Sequence, residues 1–288
     1  MARWQSCGRI LMYHGVTDEG APELESQLHY LTRNFKIVSL ETMVDRLAAG
    51  ADPAANEIVL SFDDGLRNNL IVVYPLLQKL HIPATFFVCP GLIGSGKWLW
   101  NHEVRSRLQT LHHADLVVLA KALATPSASV ESIVRWMKKL CPDERGHAET
   151  MVQQATAGFR PTTQQHAAFD IMDWDELLSL DPKLITVGSH TVSHPILTNL
   201  PDNEVEREVR DSRQQLEQRL QRPVNFFCYP NGSYDSRAYQ AVKSFYRAAV
   251  TTESGVVGGK DFDLHRLPRI PSAETAALTA WRLHRPEA

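Results

Sequence analysis

The sequence predicts an α/β fold built on a parallel sheet, and three observations carry that reading. Short apolar runs alternate with helical patterns along both ends of the chain, the rhythm of successive βα units. Several runs end abruptly on clusters of charged or polar residues. Between them, from about 94 to 170, strand signals give way to helical ones, as an insertion between strands would.

Each element follows from its pattern. Ile10-Leu11-Met12-Tyr13 reads as a buried strand stopping at His14-Gly15. Glu23 to Asn34 places Leu24, Leu28 and Leu31 at helical spacing. Ile37 to Leu40 is a second strand, and Glu41 to Ala49 a helix with Met43, Val44 and Leu47 on one face. Glu57 to Phe62 is β-rich and ends at Asp63-Asp64-Gly65; a helix with Leu76, Leu77 and Leu80 follows, then a strand over Pro83 to Val88. In the insertion, Val130 to Leu140 and Glu144 to Ala157 read as helices, and the irregularly spaced His102, His112, His113, His147 and His166 read as solvated histidines. Asp173 is placed to cap a helix through Leu178. Leu184 to Val187 is a strand running into Gly188-Ser189-His190. Glu204 to Leu220 carries Val205, Val209, Leu216 and Leu220 as an apolar stripe. Val224 to Tyr229 is a strand ending at Pro230-Asn231-Gly232, and Ser236 to Phe245 a helix.

Composition bounds the class. A chain of 288 residues, 43% hydrophobic and 22% charged, has enough apolar surface for a core. Length alone leaves one large barrel and two small domains both open; the whole chain, 1–288, is read as one domain carrying the insertion. A net charge of −3 gives no basic excess to attract nucleic acid. Cys7, Cys89, Cys141 and Cys228 are far apart and read as reduced thiols, not a disulfide framework. No run reaches the roughly 18 apolar residues of a membrane span. The first residues contain no apolar signal segment, so a cytoplasmic location is expected.

Three polar clusters follow strands: Asp63-Asp64, His190 to His194, and Tyr229 to Gly232. In α/β barrels the C-terminal strand ends share one mouth, which brings distant residues together. Two adjacent carboxylates in one pocket repel unless a cation separates them; the alternative for Asp63-Asp64-Gly65 is a plain turn or cap. His190 and His194, four apart, would face one way on a helical turn and chelate a metal; the alternative is a pair of surface histidines. One carboxylate and two imidazoles with open positions are the donor set of a catalytic metal.

Ser61-Phe62-Asp63-Asp64-Gly65, Ser189-His190-Thr191-Val192-Ser193-His194-Pro195 and Phe227-Cys228-Tyr229-Pro230-Asn231-Gly232 resemble the first three motifs of the polysaccharide deacetylases. These are the NodB-homology proteins of carbohydrate esterase family four. Leu11 to Val16 and Leu267-Pro268-Arg269-Ile270 resemble further segments of many members. The resemblance implies a distorted (β/α) barrel with fewer than eight complete units. It implies hydrolysis of N-acetyl groups on an amino sugar, in a polysaccharide or a glycan precursor. Asp63 would be the catalytic base, and Asp64, His190 and His194 the ligands of one divalent metal. Zinc suits that set, as do cobalt, nickel, manganese and iron. Tyr229, Pro230, Asn231 and Gly232 would line the substrate groove, the Asn231 N–H helping to hold the oxyanion.

The match departs from the family twice. Where many members carry an arginine that orients the base, this chain has Cys228, and Arg269 is the candidate replacement; a purely structural ion pair is the alternative. The late Leu-x-His motif has no clean copy, since Leu264-His265 and Leu283-His284 lack the spacer. His14, at a strand end, is the candidate general acid or substrate contact, with His265 second; a buried histidine bonded to backbone is the alternative for His14. Trp174 either lines an acyl or sugar pocket or is a core residue. Two competing functions stand beside deacetylation: a metal amidohydrolase acting on a small non-sugar amide, and an inactive carbohydrate-binding protein.

Overall fold

Strands buried on both faces need a covering layer on each side, and the sequence supplies it with helices after nearly every strand. The computed structural model describes residues 7–54, 56–258 and 262–285. The first six residues, on which the expectation of no signal segment rests, lie outside the described residues.

Among the described residues the strands are β1 (Arg9–Tyr13), β2 (Lys36–Ile37), β3 (Glu57–Phe62), β4 (Ala84–Val88), β5 (Ile185–Ser189), β6 (Phe226–Cys228), β7 (Ala248–Val250) and β8 (Ile270–Pro271). All the pairings between them are parallel, in the order β7-β6-β5-β4-β3-β1-β8, with β2 on β3. The last segment touches both ends of this row. Leu267 bridges to Val250 and Ile270 pairs with Leu11, so the sheet curls into a distorted barrel.

The helices outside the insertion are α1 (Ala21–Asn34), α2 (Leu40–Ala48) and α3 (Tyr74–Leu80) before it, and α9 (Trp174–Leu178), α10 (Asp202–Leu220), α11 (Ser236–Phe245) and α12 (Ala276–His284) after it. Local chemistry sets several boundaries. Ser39 accepts a hydrogen bond from the Thr42 N–H and starts α2, which shortens the second strand to Lys36–Ile37. Asp173 and Glu176 form a reciprocal capping box at α9. Asp235 caps α11.

Alternation along the strands divides the core. Leu11, Tyr13, Ile58, Leu60, Phe62, Phe86 and Val88 pack outward with residues of α1, α3, α10 and α11. Ile10, Val59, Phe87, Phe226 and Cys228 form a second cluster with α2. Counting in twos from this inner set reaches Asp63 from Val59 and Cys228 from Phe226. Gly188 belongs to the same face: a Cβ there would lie 2.5 Å from the Phe87 ring. His190 is two residues further on.

Between β4 and β5 run α4 (Trp100–Leu108), α5 (His113–Ala122), α6 (Val130–Met137), α7 (Pro142–Ala155) and α8 (Thr163–Phe169). Their buried side chains, among them Val104, Leu108, Leu116, Ile133 and Val152, form an apolar cluster of their own. Asn199 fastens this unit to the barrel by donating to the Lys138 and Leu140 carbonyls.

Candidate active site

Strand register assembles the site. Tyr13 pairs with Phe62, so His14 and Asp63 leave the sheet side by side, and the Asp63 N–H donates to the Tyr13 carbonyl. Val88 pairs with Ser189, and Ser189 with Phe227, which sets His190 next to Cys228. His14, Asp63, Asp64, His190, His194, Tyr229 and Asn231 all line one cavity of about 390 Å³. Asp63, Asp64, His190 and His194 are buried, whereas the His14 side chain is 54% exposed.

The two adjacent carboxylates have different partners. Asp63 receives both arms of the fully buried Arg269: Nη1 donates to Oδ1 and Nη2 to Oδ2, each at 2.7 Å. Arg269 also donates to the Ser61 hydroxyl and the Thr251 carbonyl, and its Nη2 lies 3.2 Å from the Cys228 sulfur. The guanidinium therefore reaches the base from the closing segment of the barrel, beside the thiol at the motif's usual arginine position. Burial alone would raise the Asp63 pKa; Arg269 reverses this and holds it below the ordinary carboxylate value.

Asp64 sits at φ 78°, a left-handed conformation that few non-glycine residues adopt. Its Oδ1 lies 3.5 Å from both His190 Nε2 and His194 Nε2. That separation is long for a hydrogen bond. It suits donor atoms around a cation: metal–ligand bonds of about 2.0–2.1 Å in a tetrahedron place neighbouring donors roughly 3.3 Å apart. All three donor atoms lie within 4.8 Å of one another, so the residues fit a divalent metal.

A second grouping of Asp63, His190 and Cys228 is equally close but is not a metal site. Arg269 already occupies Asp63, and His190 Nδ1 bonds the Cys228 carbonyl at 2.7 Å, leaving Nε2 for Asp64. That second bond fixes the tautomer a ligand needs. Burial and the neighbouring His190 push the His194 pKa down to about 3, which keeps this ring neutral. His194 Nδ1 is buried without a partner among the described residues.

The two histidines are not on a helical turn, contrary to the geometry expected from their spacing. Residues 190–196 form an irregular loop in which Thr191 and His194 have φ of 67° and 59°. Glu208 of α10 braces it, accepting from the Val192 and Ser193 N–H groups and the Ser193 hydroxyl. The Thr191 hydroxyl accepts from the His194 N–H and returns the second ring to Asp64.

Burial opposes a charge on His190, but the surrounding groups, the Asp64 and Asp63 carboxylates among them, outweigh it and hold its pKa well above the ordinary histidine value. A proton on Nε2 must leave before that nitrogen can hold a cation. Metal affinity should therefore rise with pH above about 6.5, by up to about tenfold per unit while His190 is the group deprotonating. Chelator competition from about pH 6 to about pH 9 measures this; a flat profile would contradict it.

The other expectations divide. His14 Nε2 stands 4.0 Å from Asp63 Oδ2, open to the cavity, so it is not a buried histidine bonded to backbone. His265 does not line the cavity; its Nε2 bonds the Tyr246 carbonyl and its own carbonyl accepts from the Tyr229 hydroxyl. Trp174 is also off the cavity, at the start of α9 beneath the Arg219 guanidinium. Pro230 and Gly232 shape the third loop without lining the cavity. Gly232 has φ 69°, and a Cβ there would lie 1.9 Å from the Thr252 hydroxyl. Asn231 Oδ1 accepts from Lys138 Nζ at 2.6 Å.

The insertion contributes more than its sequence indicated. Asn101, His102, Lys138, Ala168 and Phe169 all line the cavity. His102 is not a solvated histidine: its side chain is 21% exposed and its Nε2 lies 3.8 Å from Asp64 Oδ2.

Known proteins share the chain's family signature and its fold. The family model for polysaccharide deacetylases matches residues 50–249. The Bacillus subtilis (strain 168) protein named "Putative polysaccharide deacetylase YxkH" is 21% identical over 281 residues, covering 94% of this chain and 75% of that protein. The fold is shared with the Streptococcus pyogenes deacetylase PplD, solved in complex with acetate, at a TM-score of 0.65 and 19% identity; 98% of this chain and 100% of that one are covered. IcaB from Ammonifex degensii gives 0.63 at 16% identity, covering 96% and 97%. The chain belongs to the polysaccharide deacetylase family and, as a member, is a carbohydrate deacetylase.

Proposed function

We propose that the protein hydrolyses the N-acetyl group of an amino sugar, in a polysaccharide or a glycan precursor, using one divalent metal held by Asp64, His190 and His194. Zinc is the metal proposed, with cobalt, nickel, manganese and iron compatible with the same donors. The observation that carries this reading is the division of labour between neighbouring carboxylates: Asp63 is clamped by Arg269, while Asp64 faces two imidazoles in the same cavity.

Bound there, the metal would polarise the acyl carbonyl and lower the pKa of a water. Asp63, kept ionised and aimed by Arg269, takes the proton from the attacking water. The Asn231 N–H, on the rigid turn beside Gly232, is assigned to the oxyanion that forms on the acyl carbon. His14 gives a proton to the nitrogen as the carbon–nitrogen bond breaks, releasing acetate and a free amine. Its side chain is open to the cavity, where the leaving nitrogen would lie. Tyr229 is buried and holds the third loop through its hydroxyl, so its part in substrate binding is to set the cavity wall. A protein that only bound glycans would have no use for a clamped base beside a metal-ligand set.

Acetate release from N-acetylglucosamine oligomers and lipid-linked N-acetylated sugars, with several divalent metals supplied, tests the reading. Release with any of them is expected; binding without release would refute it. In the same assay His14→Ala should lower kcat by about 10²–10⁴-fold. A variant with wild-type kcat would remove His14 from the mechanism. A cytoplasmic site of action is part of the proposal, and cell fractionation checks it.

A further inference from the structure

The metal ligands proposed above come from the barrel, yet the group facing the far side of Asp64 comes from the insertion. Asp64 presents Oδ1 to His190 and His194, and Oδ2 to His102 Nε2 at 3.8 Å. The donor cluster that could hold the metal is Asp64, His190 and His194, and His102 faces the other oxygen of Asp64. His102 is thus a neighbour of the ligand, not a fourth donor.

The ring is held in place. It stacks on Phe169 with centroids 4.6 Å apart and planes 17° from parallel. Trp98 packs edge-on against Phe169 at 5.4 Å and donates its Nε1–H to Asp170 Oδ1 at 2.7 Å. His102 itself lies in the first turn of α4, whose Val104 and Leu108 are anchored in the insertion's own apolar cluster. A stacked, partly buried imidazole whose nitrogen faces a carboxylate oxygen has little reason for that geometry beyond the carboxylate.

We infer that His102 is a positioning residue for the metal site: its Nε2–H, through one water, holds Asp64 Oδ2 and so leaves Oδ1 as the single ligating oxygen. The helical insertion thereby completes the metal centre. This inference rests on the metal-binding reading above.

Zinc affinity of the full chain tests it, measured by competition with a chromophoric chelator on metal-stripped protein. His102→Phe keeps a ring to stack on Phe169 but has no donor. His102→Gln places an amide N–H at a similar reach. The Phe variant should bind zinc about 10- to 100-fold more weakly, and the Gln variant should recover most of that loss. Circular dichroism and melting temperature confirm that each variant is folded. Wild-type affinity in His102→Phe would overturn the inference, including the case where only KM rises, which would mark a substrate contact. Equal losses in both variants would also overturn it, because the donor would then not matter. His190→Ala is the control for the site itself. If wild-type protein takes up no zinc, the metal-binding reading fails and takes this inference with it; if wild type binds, His190→Ala does not, and His102→Phe equals wild type, only the inference fails.

Discussion

Asp63→Asn is expected to lower kcat for acetate release by about 10²–10⁴-fold, the usual contribution of a general base. The amide has nearly the shape of the carboxylate but cannot accept the proton from water. Metal content should stay at the wild-type level, because Asp64, His190 and His194 are untouched and both oxygens of Asp63 are taken by Arg269. KM should change little. The variant should also melt earlier, since the buried guanidinium loses its counter-charge, and removing one partner of a buried pair costs about 3–5 kcal/mol. Kinetics are therefore to be read well below the melting temperature. Acetate release at the wild-type rate in a folded, metal-loaded Asp63→Asn protein would show that the base is elsewhere.

Arg269→Met should produce the other large effect, on stability and activity together. Arg269 is fully buried, with hydrogen bonds to Asp63, Ser61 and Thr251. Truncation leaves Asp63 as an unpaired buried carboxylate, at about 3–5 kcal/mol. It also removes the charge that keeps Asp63 ionised, so its pKa rises toward the value set by burial. The double variant Asp63→Leu/Arg269→Met separates the two roles. Replacing a buried pair by apolar side chains is often close to neutral for stability, so the double variant should melt near wild type and release no acetate. A single Arg269→Met variant with wild-type melting temperature and kcat would refute both roles.

Much of the barrel was legible because parallel strands covered on both faces read as short apolar runs, as Ile10 to Tyr13 and Ile58 to Leu60 do. The polar residues that end those runs fall at one mouth by topology, which is why Asp63, Asp64, His190 and Tyr229 were findable from sequence. β7 and β8 were harder, being three and two residues long, with no pattern to separate them from loop. Arg269, 206 residues from Asp63, was legible only through the resemblance of its segment to the family, and the closing of the barrel brings the two together. Loop geometry was hidden too: His-x-x-x-His implies a helical turn, but the Glu208 carboxylate on the following helix stabilises a different backbone. His102 gave no local signal, because its neighbours Asp64 and Phe169 are both far along the chain.

Removing and restoring the metal tests the central claim most directly. The protein is stripped with a chelator, zinc is added back, and acetate release from N-acetylglucosamine oligomers is followed alongside bound metal, for wild type and His190→Ala. The site built by Asp64, His190 and His194 predicts one zinc per chain, release that vanishes on stripping and returns with zinc, and neither metal nor release in His190→Ala. Full activity in the stripped protein, or wild-type metal content and rate in His190→Ala, would contradict it.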